Sequence, residues 1–519
     1  MNGYHWFVLL VAALGWMFDC LDQQFFVLGR PAAMRELLRG VSEPQFDDFS
    51  KHVKEAAPSQ VPAADVDAFL VNVKDHLAVI ERRKFWPIEQ NLSAQWNIAG
   101  DPSAQSQALR QANDALAVAT DNKVFEATIA EYANYATAIF LLGWATGGLI
   151  FGVLGDRIGR AKTMLVTILI YSAFTGACAF SQNFLQFAIF RFLTDLGVGG
   201  EFAVGVALVA ETMPTAARAP MLTLLQMLST VGNMTAALIN IQMGVWEGEG
   251  AIGSPWRKMF LVGALPALVA VLIRWKLKEP ERWKQLSAEE ALEKQLGSYR
   301  GLFRDPRWRR NALCGLALAL SGVIGLWAVG FFTPDLTKTV LKTKLTNAAF
   351  DEEIAAAQGD TVRASQLSQL QANWGSNAAV PAEMEPLRAQ LQKKIDGQIT
   401  RWGGISSICF QIGAFCGMFC FGFVAQRLGR KPSFAIALIG ACVITSIEFI
   451  FLDDFSQLFW LIPMVGFFQL SLFAGYAIYL PELFPTSLRS TGTSFCYNVG
   501  RFLAAPTLFL KGQLSLLFA

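Results

Sequence analysis

Runs of about 20 apolar residues recur along the whole chain, the length an α-helix needs to cross the roughly 30 Å hydrocarbon core of a bilayer. A window of about 19 residues places them near 6–29, 131–154, 163–181, 184–210, 219–244, 256–275, 311–334, 402–424, 432–452, 457–480 and 489–511, about eleven spans. Backbone groups in hydrocarbon must be satisfied within their own segment, so the expected fold is an all-α polytopic membrane protein. Composition agrees: of 519 residues, 53% are hydrophobic and 16% charged. The net charge of +2 gives no basis for a nucleic-acid surface. The opening "MNGYHWFVLLVAALGWMF" lacks a basic n-region and an A-x-A cleavage site, so it is expected to remain as the first span.

Lys and Arg gather in alternate connections: Arg157, Arg160 and Lys162 after the second span, Arg218 after the fourth, eleven from Arg274 to Arg310, then Arg427, Arg430 and Lys431. The positive-inside rule assigns these connections and the N-terminus to the cytoplasm. The opposite connections include two long polar insertions, 30–130 and 336–400.

Two motifs repeat. "GVLGDRIGRAK" begins at Gly152 and "GFVAQRLGRKP" at Gly422, an offset of 270 (422 − 152). "ETMPTAAR" begins at Glu211 and "ELFPTSLR" at Glu482, an offset of 271 (482 − 211). Two motifs with nearly one offset indicate a chain built from two similar halves. The expected division is a half over 1–279, a cytoplasmic linker over 280–310, and a second half over 311–519. Each insertion then falls between the first and second span of its half.

These residues resemble the major facilitator superfamily. Its G-x-x-x-D-R-x-G-R signature is met at Gly152, Asp156, Arg157, Gly159 and Arg160, and the second half departs from it at Gln426. "RFLTDLGVGGEF" and "PELFPTSLRSTGTSFCYNVGR" are similar to the proton-coupled metabolite, aromatic-acid, sialic-acid and sugar porter branches. The resemblance implies two pseudo-symmetric helical bundles in a bacterial inner membrane, and alternating-access transport rather than enzymatic activity. It also implies twelve spans, whereas about eleven are seen here and the twelfth is apparently absent. The implied function is proton symport of a small organic anion; the alternatives are a sugar or polyol porter, or a non-transporting sensor on the same scaffold.

"LGWMFDCLDQQFF" places Asp19 and Asp22 inside an apolar span. At about 1.5 Å per residue, Asp22 and Arg191 reach one level, Asp195 falls near the midplane, and Arg501 lies roughly 18 Å in along its own span. Ionisable groups at such depth are functional candidates. Sugar porters carry an Asp on the first span facing an Arg on the fourth, at positions matching Asp22 and Arg191. Aromatic-acid porters carry D-G-x-D, matched at Asp19 to Asp22 except for Cys20. A neighbouring guanidinium favours a charged carboxylate and desolvation a neutral one, so a closing cavity can switch a proton. Proton coupling is therefore expected at Asp19, Asp22, Arg191 and Asp195, and the three histidines fall outside the cavity on this map. Arg191 and Arg501 can take a substrate carboxylate, with Asn233, Asn240, Trp327, Gln411, Gln469, Tyr476, Tyr497 and Asn498 as further lining. The gate set is Gly152, Asp156, Arg157, Gly159, Arg160, Glu201, Glu211, Arg218, Arg427, Arg430, Glu482 and Arg489. The alternative readings are a fixed ion pair at Asp22 and Arg191, a snorkelling or cytoplasmic role for Asp195 and Glu201, and helix packing for the amides and aromatics.

All eight cysteines lie in expected spans, so a disulfide framework is not expected. No metal-ligand spacing, nucleotide loop or nucleophile elbow is present, and no cofactor is expected. The expected partners are a small-molecule substrate, protons and the lipid bilayer. In the first insertion, Val66, Phe69, Leu70, Val73, Leu77 and Ile80 recur at helical spacing, predicting an amphipathic helix over 62–84. The second insertion is also rich in helix formers. Both are expected to fold as helices near the outer cavity mouth, forming a cap that restricts entry or binds an outer partner.

Overall fold

The structure, a computed structural model, describes residues 2–38, 122–248, 255–266, 277–288, 296–328, 333–357, 360–374 and 384–518. The helix expected over 62–84, with most of the first insertion, lies outside the described residues.

The described chain is helical. In order the helices are α1 (Gly3–Leu38), α2 (Asn122–Arg157), α3 (Arg160–Cys178), α4 (Phe184–Thr212), α5 (Thr215–Gly248), α6 (Pro255–Val262), α7 (Glu281–Ala288), α8 (Tyr299–Arg304), α9 (Pro306–Ala328), α10 (Thr333–Ala356), α11 (Thr361–Ala372), α12 (Glu385–Arg427), α13 (Arg430–Phe451), α14 (Phe455–Glu482) and α15 (Arg489–Phe518). Eight of them, α1 to α5 and α12 to α14, are long and apolar enough to cross a membrane. The expected spans at 256–275, 311–334 and 489–511 coincide with α6, α9 and α15, which are not among the eight; part of the first and part of the second lie outside the described residues.

The described residues form two compact units. The first comprises those within 2–29, 139–180 and 190–507, the second those within 30–38, 122–138, 181–189 and 508–518. In the second, Arg30 donates from Nη1 to Thr137 Oγ1 at 2.6 Å, and Tyr132 meets Phe184 edge-on at 4.6 Å. The site described below lies wholly within the first.

The sequence repeat is also a structural one. Gly143 and Gly147 of α2 lie against the carbonyls of Phe192 and Leu196 on α4, while Gly413 and Gly417 of α12 lie against those of Pro463 and Phe467 on α14. A Cβ at any of these glycines would enter the neighbouring backbone, so the helices touch only because glycine stands there. Helices α3 and α13 both start after a glycine at positive φ, Gly159 at 113° and Gly429 at 88°, a conformation that favours glycine. Arg160 and Arg430 then fold back alike, donating from Nη1 to Gly155 O at 2.7 Å and Ala425 O at 3.0 Å.

The second insertion folds as expected over its described part. Helices α10, α11 and the start of α12 enclose a small core of Phe350, Leu367, Leu370, Leu391 and Ile395. Asp360 caps α11 by accepting from Arg363 N at 3.0 Å. Lys394 Nζ reaches Glu353 Oε1 at 2.8 Å and Glu352 Oε2 at 3.2 Å. The Lys394 ammonium holds the Glu353 carboxyl below its usual range. Helix α12 runs on for 43 residues, about 65 Å, and so links this core to the membrane-length bundle.

Candidate functional site

Helices α1 and α4 bring charges together in a buried cluster, to which α3 adds a hydroxyl. Arg191 turns its Nε/Nη2 edge to Asp195 on the next turn, at 3.0 and 2.6 Å. Its Nη2 and Nη1 also reach Asp22 Oδ2 and Oδ1, at 2.6 and 3.3 Å. Thr175 of α3 donates to Asp22 Oδ1 at 2.8 Å. The guanidinium lies over Phe26 and Phe140, 4.8 and 5.2 Å from their centroids. All three charged side chains are fully buried. The shared level of Asp22 and Arg191 is thus a direct contact.

Asp19 and Glu201 share this region without the cation. Asp19 accepts from Gln23 Nε2 at 3.3 Å, and its Oδ1 has no partner among the described residues. Glu201 accepts from Thr167 Oγ1 at 2.9 Å, and its Oε1 has no partner among the described residues. Glu201, expected among the gate residues, is turned toward α1: a Cβ on Gly15 would meet its carboxylate.

A cavity of about 110 Å³ opens between the two halves. Of the expected lining residues, Asn233, Gln411, Tyr497 and Arg501 face it. Gln469, Tyr476 and Asn498 do not line it, and each is engaged elsewhere: Gln469 with Thr445, Tyr476 with Leu318 O, and Asn498 with Ser494 and Arg501. Arg191 does not line it either. Trp327 falls within α9, with its side chain outside the described ones. The sequence reading missed Trp16, Gln24, Trp144 and Gln226. Helical depth gives a residue's level and not the face it occupies; the only sequence signal for Gln24 and Gln226 is an amide inside an apolar span.

Arg501 is the charged group on this wall. Its guanidinium is fully buried, 3.8 Å from the Trp144 centroid and 4.3 Å from that of Tyr497. Nη1 donates to Tyr497 O at 2.7 Å and to Asn498 Oδ1 at 2.8 Å, while Nε and Nη2 have no partner among the described residues. This is the same edge that Asp195 fills on Arg191.

The halves also meet where the two G-x-x-x-D/Q-R-x-G-R loops lie, here termed the motif end. Asp156 Oδ1 accepts from Arg160 Nη2 at 2.9 Å and Ser490 N at 3.2 Å; its Oδ2 accepts from Thr491 N at 2.8 Å and Thr491 Oγ1 at 2.7 Å. The carboxylate thus caps the first turn of α15, where amide groups are otherwise unpaired. Glu211 receives Arg160 at 3.0 Å and Arg489, from the other half, at 3.1 Å. The second-half counterpart is smaller and more exposed: Arg430 reaches Glu482 at 3.0 Å, and Arg427 lies over Phe423. Subtracting the 271 offset maps Ser490 and Thr491 onto Ala219 and Pro220. Proline offers no N–H, so a carboxylate at Gln426 would lack the donor that Thr491 supplies.

Glu279, the last residue of the first half, and the linker that follows it add contacts that the sequence reading missed. Glu279 accepts from Arg160 N at 2.7 Å, Ala161 N at 3.2 Å and Lys162 N at 3.1 Å, capping α3. Trp283 Nε1 donates to Asp156 O at 2.7 Å, Arg157 Nε to Leu296 O at 3.2 Å, and Gly297 N to Ser487 O at 3.1 Å. Arg218, expected in the gate set, sits in the first turn of α5.

Comparison with known proteins agrees with this architecture. The family profile described as "Major Facilitator Superfamily" matches residues 115–351, and "Sugar (and other) transporter" matches 365–462. The chain is 28% identical to a putative metabolite transport protein of Haemophilus influenzae, over 70% of this chain and 74% of that one. It is 26% identical to the cis,cis-muconate transport protein of Acinetobacter baylyi, over 70% and 74%. The solved D-xylose-proton symporter has the same fold, with a TM-score of 0.54 over 98% of this chain and 90% of that one, at 13% identity. With its paired motifs, repeated helix packing and inter-half cavity, the chain belongs to the major facilitator superfamily, as a multi-pass membrane transporter of small organic solutes.

Proposed function

We propose that the protein is a proton symporter for a small organic anion, binding the anion's carboxylate on Arg501. The observation that carries this reading is the open Nε/Nη2 edge of a fully buried guanidinium on the cavity wall. A buried donor without a partner costs about 1–3 kcal/mol. A carboxylate would satisfy both nitrogens at once in the bidentate geometry that arginine favours. Trp144 and Tyr497, already against the guanidinium, would flank a flat or unsaturated anion, while Asn233, Gln226 and Gln411 offer polar contacts. The similarity to a muconate transport protein supports an organic acid. A neutral sugar would leave the Arg501 charge uncompensated.

In this reading the buried carboxylates of the first half carry the proton. The halves 1–279 and 311–519, joined by the linker 280–310, alternate about the cavity. The basic connections mark the motif end as cytoplasmic, in a plasma membrane. The two insertions then lie on the outer side, where the helical core of the second would form part of a cap.

Uptake into proteoliposomes tests this. Radiolabelled cis,cis-muconate and a panel of aromatic and aliphatic carboxylates are offered with and without an inward proton gradient, with xylose as the neutral comparison. At least one carboxylate should accumulate with the gradient and cease to do so with a protonophore. Xylose accumulation with no carboxylate uptake, or carboxylate uptake indifferent to the gradient, would overturn the proposal.

A further inference from the structure

The first half buries four carboxylates, Asp19, Asp22, Asp195 and Glu201, around Arg191. Asp22 and Asp195 together bond all three nitrogens of the guanidinium, and Thr175 adds a bond to Asp22. Both are thereby held to Arg191. Asp19 and Glu201 each keep one buried oxygen without a partner, and no cation touches either among the described residues. Tyr171, one turn beyond Thr167 on α3, is also fully buried, and its hydroxyl has no partner among the described residues. It lies within electrostatic reach of both carboxylates.

We infer that Asp19 and Glu201 form the site that holds the coupling proton, while Asp22, Arg191 and Asp195 form a fixed triad that positions α1 against α4. The inference rests on the proton-symport reading above. The titratable and charged groups within electrostatic reach of Asp19 are Asp22 and Cys20 on α1, Tyr171 on α3, Asp195 and Glu201 on α4, and Tyr497 and Arg501 on α15; Tyr171 is within reach of Glu201 as well. Arg501 is the cation among them outside the triad, and it is also the group to which the substrate is assigned.

The order of events follows from that double use. With the cavity open and empty, Arg501 is the countercharge for ionised Asp19. A substrate carboxylate then takes the open edge of Arg501, and Asp19 loses that countercharge. Asp19 takes a proton from water, and the cavity closes over a neutral pair of events: one anion and one proton gained. Glu201 lies against Gly15, four residues nearer the motif end than Asp19, or about 6 Å along the helix. It is therefore placed to accept the proton from Asp19 and release it when the motif end opens. By linkage, substrate must raise proton affinity at this site by the same factor that the proton raises substrate affinity.

Infrared difference spectra of the reconstituted protein between acid and alkaline pH report protonated carboxyl groups directly, without any substrate. A carboxylic C=O band should titrate in the wild type, shift in Glu201→Asp, and lose intensity in Glu201→Gln and in Asp19→Asn. In proteoliposomes, gradient-driven accumulation of cis,cis-muconate, or of the panel carboxylate that the wild type accumulates, should fall roughly ten-fold or more in Glu201→Gln and recover in Glu201→Asp. Size-exclusion profiles verify folding of each variant. An unchanged band together with wild-type accumulation in Glu201→Gln overturns the assignment of Glu201. If the wild type shows no gradient dependence, the symport reading fails instead, so the two failures are distinguishable.

Discussion

Asp156→Asn tests whether the contact at the motif end holds the transporter closed there. The carboxylate makes four hydrogen bonds, two at each oxygen, and three come from the first turn of α15. An amide retains one acceptor oxygen and presents an NH₂ group where the other stood. That NH₂ group faces Thr491 N and Thr491 Oγ1 as donors, or else Arg160 and Ser490 N. At least one charge-assisted bond, worth about 1.5–3 kcal/mol, is lost, along with the attraction between the carboxylate and the positive end of α15. Closure at this end should weaken by about 2–3 kcal/mol, shifting the open-to-closed ratio roughly 30- to 150-fold. A single cysteine introduced at Ser487, in an otherwise cysteine-free background, should then react faster with a membrane-impermeant maleimide applied from the motif side. Turnover should fall with little change in substrate affinity. Gln426→Asp is the internal control: the position corresponding to Thr491 is Pro220, so an added carboxylate there lacks both the amide and the hydroxyl that Thr491 gives Asp156 and should increase closure by less than Asp156 contributes. Unchanged labelling and turnover in Asp156→Asn, or a closure gain from Gln426→Asp equal to the loss, would refute the reasoning.

Arg501→Lys keeps the charge but removes the planar edge, and should weaken carboxylate binding by roughly 10- to 100-fold; isothermal titration showing unchanged affinity would exclude Arg501 as the anion site. A Cβ on Gly152 would stand 2.5 Å from Ser494 Cβ, so Gly152→Leu should oppose closure of α2 on α15 by about 1–3 kcal/mol and raise the same maleimide reactivity. In the second insertion, Lys394 depresses Glu353, so the pair's contribution should be present above the ordinary glutamate range and fade as pH falls through the folded-state value. Because both side chains are partly exposed, Glu353→Gln should cost less than about 1 kcal/mol at neutral pH, read as a small loss of thermal stability that disappears in acid.

The architecture was legible because lipid demands continuous helices and because the duplicated motifs mark equivalent ends of each half. Glycine spacing carried more than the reading extracted from it: Gly143 and Gly147 recur as Gly413 and Gly417 in the same contact. The site was harder to read. Asp22 and Arg191 were linked through depth, which places residues at a level but not at an azimuth. Arg191 and Asp195 lie four residues apart on one helix, a spacing that by itself forecasts a pair, so Arg191's donors are spent before a substrate arrives. Arg501 has Asn498 three residues earlier, and that contact uses only Nη1. Glu279 could not have been found by depth, since it acts from the connection after the sixth expected span on the amides of α3.

The repeat also shows how the two halves divide the work. The glycine contacts align α4 with α14 at an offset of 271, since Phe192 and Leu196 correspond to Pro463 and Phe467. Arg191, Asp195 and Glu201 therefore correspond to Ile462, Gly466 and Leu472. The charged stripe of α4 has no counterpart on α14, whose equivalent face is apolar and buried. At the same offset Arg501 corresponds to Thr230 and Tyr497 to Gln226, so the buried cation of α15 has only a hydroxyl opposite it in α5. One half thus holds the acidic cluster and the other the open guanidinium, and the cavity lies on the seam between them. Two identical halves would place like charges on both walls. With the carboxylates buried behind one wall and a cation on the other, an anion bound to Arg501 as proposed would alter the electrostatics of Asp19 without moving either helix. In the proposed alternating-access cycle, rocking the halves would change the separation of the two walls, and with it the charge state each prefers. The symmetry of the scaffold would then supply the motion, and the departure from symmetry would make that motion depend on charge.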